Sequence, residues 1–188
     1  MTVTVDRTQQ KSDRMILTAM IVVVAMTFID MTIVAIAAPD IQRGLHLTST
    51  GLQWVVSGYL ASLAAFFALG GRLADVVGHR TMVVLGTLVF IGASVMCGLT
   101  PDGSSAEAWI VTFRIVQGIG AALLFPAALA VVVSEFSIER RGRAVAIFFA
   151  VAGGLTAVGP FVGSPVARRR ALFIPRLPST LSTRFHGV

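Results

Sequence analysis

Five apolar runs, spanning residues 15–38, 51–71, 81–99, 108–133 and 144–166, dominate this sequence. A bilayer core about 30 Å thick needs about 20 such residues in a helix, because only a helix satisfies its own backbone polar groups where water is absent. The runs therefore predict an all-α membrane protein with five transmembrane helices. Composition agrees, since 55% of the 188 residues are hydrophobic and 13% are charged, against about 25% charged in soluble domains. The chain divides into a polar N-terminal segment (1–14), a five-helix bundle (15–166) and a basic tail (167–188). The first run is too long for a signal peptide and lacks a small-residue cleavage site, so it reads as an uncleaved span.

The formal net charge of +6 invites a nucleic-acid reading, which its distribution excludes. Five of the fifteen Lys and Arg residues (Arg168, Arg169, Arg170, Arg176 and Arg184) follow residue 167, leaving ten against nine acidic residues in the body. A near-neutral body offers no basic stripe that could track phosphates. Cys97 is the single cysteine and lies inside the third run, so no intrachain disulfide is possible. No metal-ligand cluster and no nucleophile–base pair stands out, so no metal, cofactor or enzymatic activity is expected. Gly118-Ile119-Gly120 lies within a span and follows no strand, which excludes a dinucleotide loop.

Orientation follows from the Lys/Arg bias of short loops. The N-terminal segment (Arg7, Lys11, Arg14), the second link (Arg72, Arg80) and the fourth (Arg140, Arg141, Arg143) are basic, whereas the first link holds Arg43 and the third holds no base. This predicts a cytoplasmic N-terminus in the plasma (inner) membrane. An odd number of spans then puts the tail outside, against the same rule. The tail is therefore expected to be foreign to the design, the product of a frameshift, premature stop or gene-model error, with a re-entrant basic tail as the competing account.

Asp30 lies inside the first span, where a charge costs about 2.5–3.5 kcal/mol on insertion scales. Arg114 is the one basic residue inside the fourth span and needs a partner for the same reason. Asp30 is eight residues from the outer end of its run and Arg114 six from the outer end of its own. At about 1.5 Å per residue both lie roughly 9–12 Å below the surface, at nearly one level. They suggest a carboxylate and a guanidinium facing a polar cavity, with the carboxylate able to exchange a proton; a structural ion pair is the alternative. Gln117, Gly118 and Ala121 follow Arg114 at three, four and seven residues, a polar and small-residue stripe down one helix face.

Two glycine-rich segments complete the candidates. Gly71, Asp75, Gly78 and Arg80 are expected in a tight cytoplasmic link, with glycine permitting the turn and Asp75 capping a helix N-terminus or pairing with an arginine. An ordinary solvated loop would have the same composition. In the fifth run, Gly159 and Gly163 allow close helix approach and Pro160 bends the helix, which suits a pivot or plain packing equally.

Taken in order, four segments resemble the major facilitator superfamily, specifically its fourteen-helix drug:proton antiporter branch. They are Asp30-Met31-Thr32-Ile33-Val34 with Pro39 and Ile41; Gly71-Arg72-Leu73-Ala74-Asp75 with Gly78 and Arg80; Arg114, Gln117, Gly118 and Gly120; and Gly159, Pro160 and Gly163. The resemblance covers residues 15–164. It implies an N-terminal fragment of a transporter built from two six-helix halves, exporting amphiphilic or cationic compounds in exchange for protons. It also implies a proton-transfer role for Arg114, a conformational latch at Asp75 whose partner lies in the second half, and antiport-type exchange tied to the Gly-Pro segment. Val76 departs from the basic residue common there, and Ser164 from the second glycine that usually ends the fifth-helix motif. A competing reading is a small non-transporting membrane protein that assembles through its glycine-rich fifth helix. Membrane lipid is the expected surrounding partner in either case.

Overall fold

The computed structural model describes residues 7–101, 103–151, 153 and 154, with side chains described from Arg14 onward. The protein is all-α, with no strand among the described residues. Its helices are α1 (Arg7–Gly44), α2 (Ser49–Val77), α3 (His79–Gly98) and α4 (Ala106–Glu135), followed by α5, helical over 138–151 and at 153 and 154. The first four are long and apolar enough to cross a membrane. Residues 155–166 of the expected fifth span, and the tail from 167, lie outside the described residues.

α1, α2 and α4 overrun their apolar runs at both ends, and α3 at its start. α1 starts eight residues before position 15, and continues through Pro39 to Gly44. The expected link at 71–80 is corrected most: Gly71 and Asp75 are helical, and the chain leaves α2 only at Gly78. Hydrocarbon thickness sets how long the apolar run must be, but a helix persists into water until a residue stops it. Gly78 is that residue, with φ 102°, and α3 begins at the next position. A side chain at this φ would be strained, so glycine is what allows a one-residue turn. Likewise Arg140, Arg141 and Arg143, expected in a link, lie in the first turns of α5.

The start of α2 is capped by a polar side chain. Thr48 caps α2 by accepting the Gly51 N–H at 2.9 Å. In turn, Glu107 in the first turn of α4 accepts from the Thr48 N–H at 2.9 Å and its hydroxyl at 3.1 Å. The hydroxyls of Thr18, Thr32 and Thr87 donate to carbonyls four residues back, which satisfies these three donors.

α4 is the innermost helix. It packs along the length of α2 and of α3, and more lightly against α1. Small residues make the approach possible: a Cβ on Gly118 would enter the Tyr59 carbonyl of α2, and one on Gly120 would stand 2.7 Å from the Phe90 nitrogen of α3. α2 and α4 run parallel, since Thr48 and Val55 meet Glu107 and Arg114 near their starts and Gly70 meets Ala122 further along. Phe125 of α4 gathers Phe28, Phe67, Phe148 and Phe149 with ring centroids 5.9–6.3 Å away, tying α1, α2 and α5 together. Outward, Val22, Ile33, Val84, Leu88 and Val95 are exposed apolar side chains. Such faces suit a hydrocarbon solvent.

Candidate functional site

Asp30 of α1 and Arg114 of α4 meet at 2.6 Å, from Arg114 Nη1 to Asp30 Oδ2. Gln117, three residues further on the same face of α4, closes a ring: Arg114 Nη1 donates to Gln117 Oε1 at 2.9 Å, and Gln117 Nε2 donates to Asp30 Oδ1 at 2.9 Å. The amide is oriented by this network, because only this arrangement matches a donor to the carboxylate and an acceptor to the guanidinium. The members differ in exposure. Arg114 is 3% exposed and Gln117 fully buried, whereas the Asp30 side chain is 18% exposed.

Arg114 is held from further sides. Its Nε donates to the Val55 carbonyl of α2 at 3.1 Å. Its guanidinium carbon lies 4.7 Å from the centroid of the Tyr59 ring, a cation–π distance. Val55 and Tyr59 are one turn apart on α2, as Arg114 and Gly118 are on α4, so the close approach at Gly118 brings both supports within reach. Arg114 is thus a fixed charge, and Asp30 is the member that meets open space.

That space is a cavity of about 530 Å³ running from the Asp30, Arg114 and Gln117 ring toward the end of the bundle where α1 and α3 finish. Val34, Ile41, Val55 and Ile110 supply apolar wall, while Asp40, Gly44, Leu45 and Thr100 lie toward the mouth. The volume is that of a drug-sized ligand site.

At the opposite end the second candidate set does not form one cluster. Arg80 reaches Glu135 at the end of α4, Nη2 to Oε1 2.5 Å, bracing the start of α3. Asp75 is exposed on the last turn of α2 and, among the described residues, has no hydrogen-bond or ion-pair partner. Gly71 faces α4 at ordinary van der Waals distance from Pro126. Gly159, Pro160 and Gly163 lie outside the described residues. Sequence reasoning missed Val55, Tyr59, Glu135 and Asp40. Only Tyr59 left a signal, as the single tyrosine of the chain, set within a span.

Four apolar helices enclosing a buried ion pair at the floor of a cavity define a multi-pass membrane protein with a polar centre. The family model described as Major Facilitator Superfamily matches residues 20–173, and the chain belongs to that superfamily. It is 36% identical over 175 residues to the tetracenomycin C resistance and export protein of Streptomyces glaucescens, covering 92% of this chain and 32% of that protein. It is 33% identical over 157 residues to the methylenomycin A resistance protein of Bacillus subtilis, covering 81% and 33%. Over 157 residues it is 36% identical to the multidrug resistance protein Stp of Mycobacterium tuberculosis, covering 81% and 28%. The chain spans about a third of the length of these relatives.

Proposed function

We propose that this chain supplies the N-terminal part of a secondary transporter that exports amphiphilic or cationic compounds in exchange for protons. The observation that carries the reading is the ring of Asp30, Arg114 and Gln117 at the floor of a drug-sized cavity. Relatives named for antibiotic resistance and export support a small-molecule substrate. Within the ring only Asp30 combines a titratable group with access to the cavity, since an arginine does not give up its proton. A proton on Asp30 discharges the pair while Val55, Tyr59 and Gln117 keep Arg114 in place. A cation entering the cavity then competes with that proton for one carboxylate, and this competition is exchange.

The remaining assignments belong to the same reading. The N-terminus and residues 140–143 lie in the cytoplasm by the basic bias of those segments, so the cavity mouth faces outward in the plasma membrane. Gly71, Asp75, Gly78 and Arg80 act as a conformational latch, with the Arg80–Glu135 bridge fixing its α3 side. Gly159, Pro160 and Gly163 serve antiport-type exchange. Two rocking halves are needed for alternating access, so residues 1–188 alone are inactive.

Drug-induced proton release from the purified whole transporter tests the reading, with Asp30→Asn as the variant. The amide keeps shape and hydrogen bonding but does not ionise. Loss of release at normal membrane expression is expected, and unchanged release would refute the coupling role. Clear dye efflux by residues 1–188 alone in vesicles would refute the need for a second half.

A further inference from the structure

The cavity above the ion pair carries a second carboxylate at its mouth. Asp40 lines it ten residues beyond Asp30 on α1, about 15 Å further along the helix. The wall beside the two carboxylates is apolar, supplied by Val34, Ile41 and Ile110. Asp30 is compensated by Arg114 at 2.6 Å, which leaves Asp40 as the unbalanced formal charge among the described lining residues. Its neighbour Arg43 approaches to 3.7 Å, does not line the cavity, and is turned back by an Nε bond to the Pro39 carbonyl. Both side chains are well exposed, at 60% and 76%, and such a surface pair is weak and easily exchanged.

We propose that Asp40 makes the outer part of this cavity a separate subsite for amphiphilic organic cations. The apolar wall takes the hydrophobic body of the ligand while Asp40 holds its charge at the mouth, about 15 Å from the proton-exchanging carboxylate. A cation leaving Asp30 passes to Asp40 without crossing an uncompensated positive field. The assignment rests on the cavity being the transport path.

Cys97, the single cysteine of the chain, lines the same cavity and reports on it without any engineered thiol. With the protein in nanodiscs, the rates of Cys97 modification by trimethylammonium-ethyl and by sulfonatoethyl methanethiosulfonate are compared. In both cases the thiolate takes the transferred thioalkyl group and methanesulfinate leaves, so the probes differ in charge rather than in chemistry. A charge about 6 Å from the probe in water changes the cation-to-anion rate ratio about threefold at 0.15 M salt and about sevenfold at 0.01 M. Asp40→Asn should lower the ratio by those factors, Asp40→Glu should keep it, and Arg43→Gln should raise it. Tetraphenylphosphonium should protect Cys97 from a neutral thiol reagent, and Asp40→Asn should weaken that protection at least threefold.

A ratio and a protection that Asp40→Asn leaves unchanged would overturn the subsite. So would a folded protein whose Cys97 neither reagent modifies, because the cavity is then closed to water. Intact protection alongside absent drug-induced proton release from the whole transporter would sink the antiport reading and leave the cation subsite standing.

Discussion

Replacing Asp30 by Leu should destabilise the bundle more than replacing Arg114 by Met, and making both changes should cost no more than the milder one. Asp30→Leu leaves a guanidinium that is 3% exposed with neutral partners alone: the Val55 carbonyl, the Gln117 oxygen and the Tyr59 ring. Arginine has no route to discharge, so the change should cost the full amount for breaking a buried pair, about 3–5 kcal/mol. Arg114→Met instead leaves a carboxylate that is 18% exposed, faces the cavity and keeps its bond from Gln117 Nε2. Water or a proton can reach it, which limits the cost to about 1–3 kcal/mol. The double variant removes both charges and orphans only the Gln117 amide, at about 1–2 kcal/mol. The coupling energy is then about 4–5 kcal/mol. Reversible unfolding in mixed detergent micelles, followed by the fluorescence of Trp54 and Trp109, measures all four corners. Additive single costs, or a larger cost for Arg114→Met, would refute the argument.

Gly118→Val should prevent the α2–α4 approach and cost about 2 kcal/mol or more, because the added atoms meet the Tyr59 carbonyl; Gly92→Ala, in open space, should be neutral in the same unfolding assay. Gly78→Ala should cost about 1 kcal/mol or more, since φ is 102° there, and should speed hydrogen exchange at the α2–α3 junction. At the start of α5, Glu139 is held below its ordinary value of 4.5 by its own backbone N–H and then by the Ser137 side chain. A depressed carboxylate stabilises the fold above its unfolded pKa and loses that contribution as pH falls through the lower folded value. Protection from hydrogen exchange near residues 138–141, taken relative to the intrinsic amide rate, should therefore fall below pH 4.5, and Ser137→Ala should reduce the effect. Arg143→Cys, made after Cys97→Ser, should resist an impermeant thiol reagent applied to intact cells; labelling from outside would overturn the orientation.

How much was legible before the fold was known differs from residue to residue. Asp30 and Arg114 could be paired on paper because a charge in hydrocarbon demands a partner and a helix rises by a constant amount, so counting residues places both at one depth. The ring extends this by local arithmetic, since a residue three positions on shares a helix face, which made Gln117 a candidate alongside Arg114. The same counting failed at 71–80, where hydropathy marks the edge of an apolar run rather than the end of a helix. It took the backbone to show that α2 runs to Val77 and turns at Gly78.

By itself the sequence determined the properties that depend on neighbours in the chain: the helical class, the apolar spans, and the cost and depth of each intramembrane charge. Only the tertiary structure decided which groups answer one another across helices. The carbonyl of Val55 and the ring of Tyr59 support Arg114 because Gly118 lets α2 come close enough. Arg80 finds Glu135 rather than the nearby Asp75 because α3 and α4 run antiparallel with those ends together. Asp40 shares a cavity with Asp30 because α1 lies more lightly on α4 than its neighbours do. Helix formation is settled by local backbone hydrogen bonds that every span satisfies internally, so the pattern along the chain suffices for it. Partner choice is settled by which small residues allow two helices into contact, and that choice is made between segments far apart in sequence.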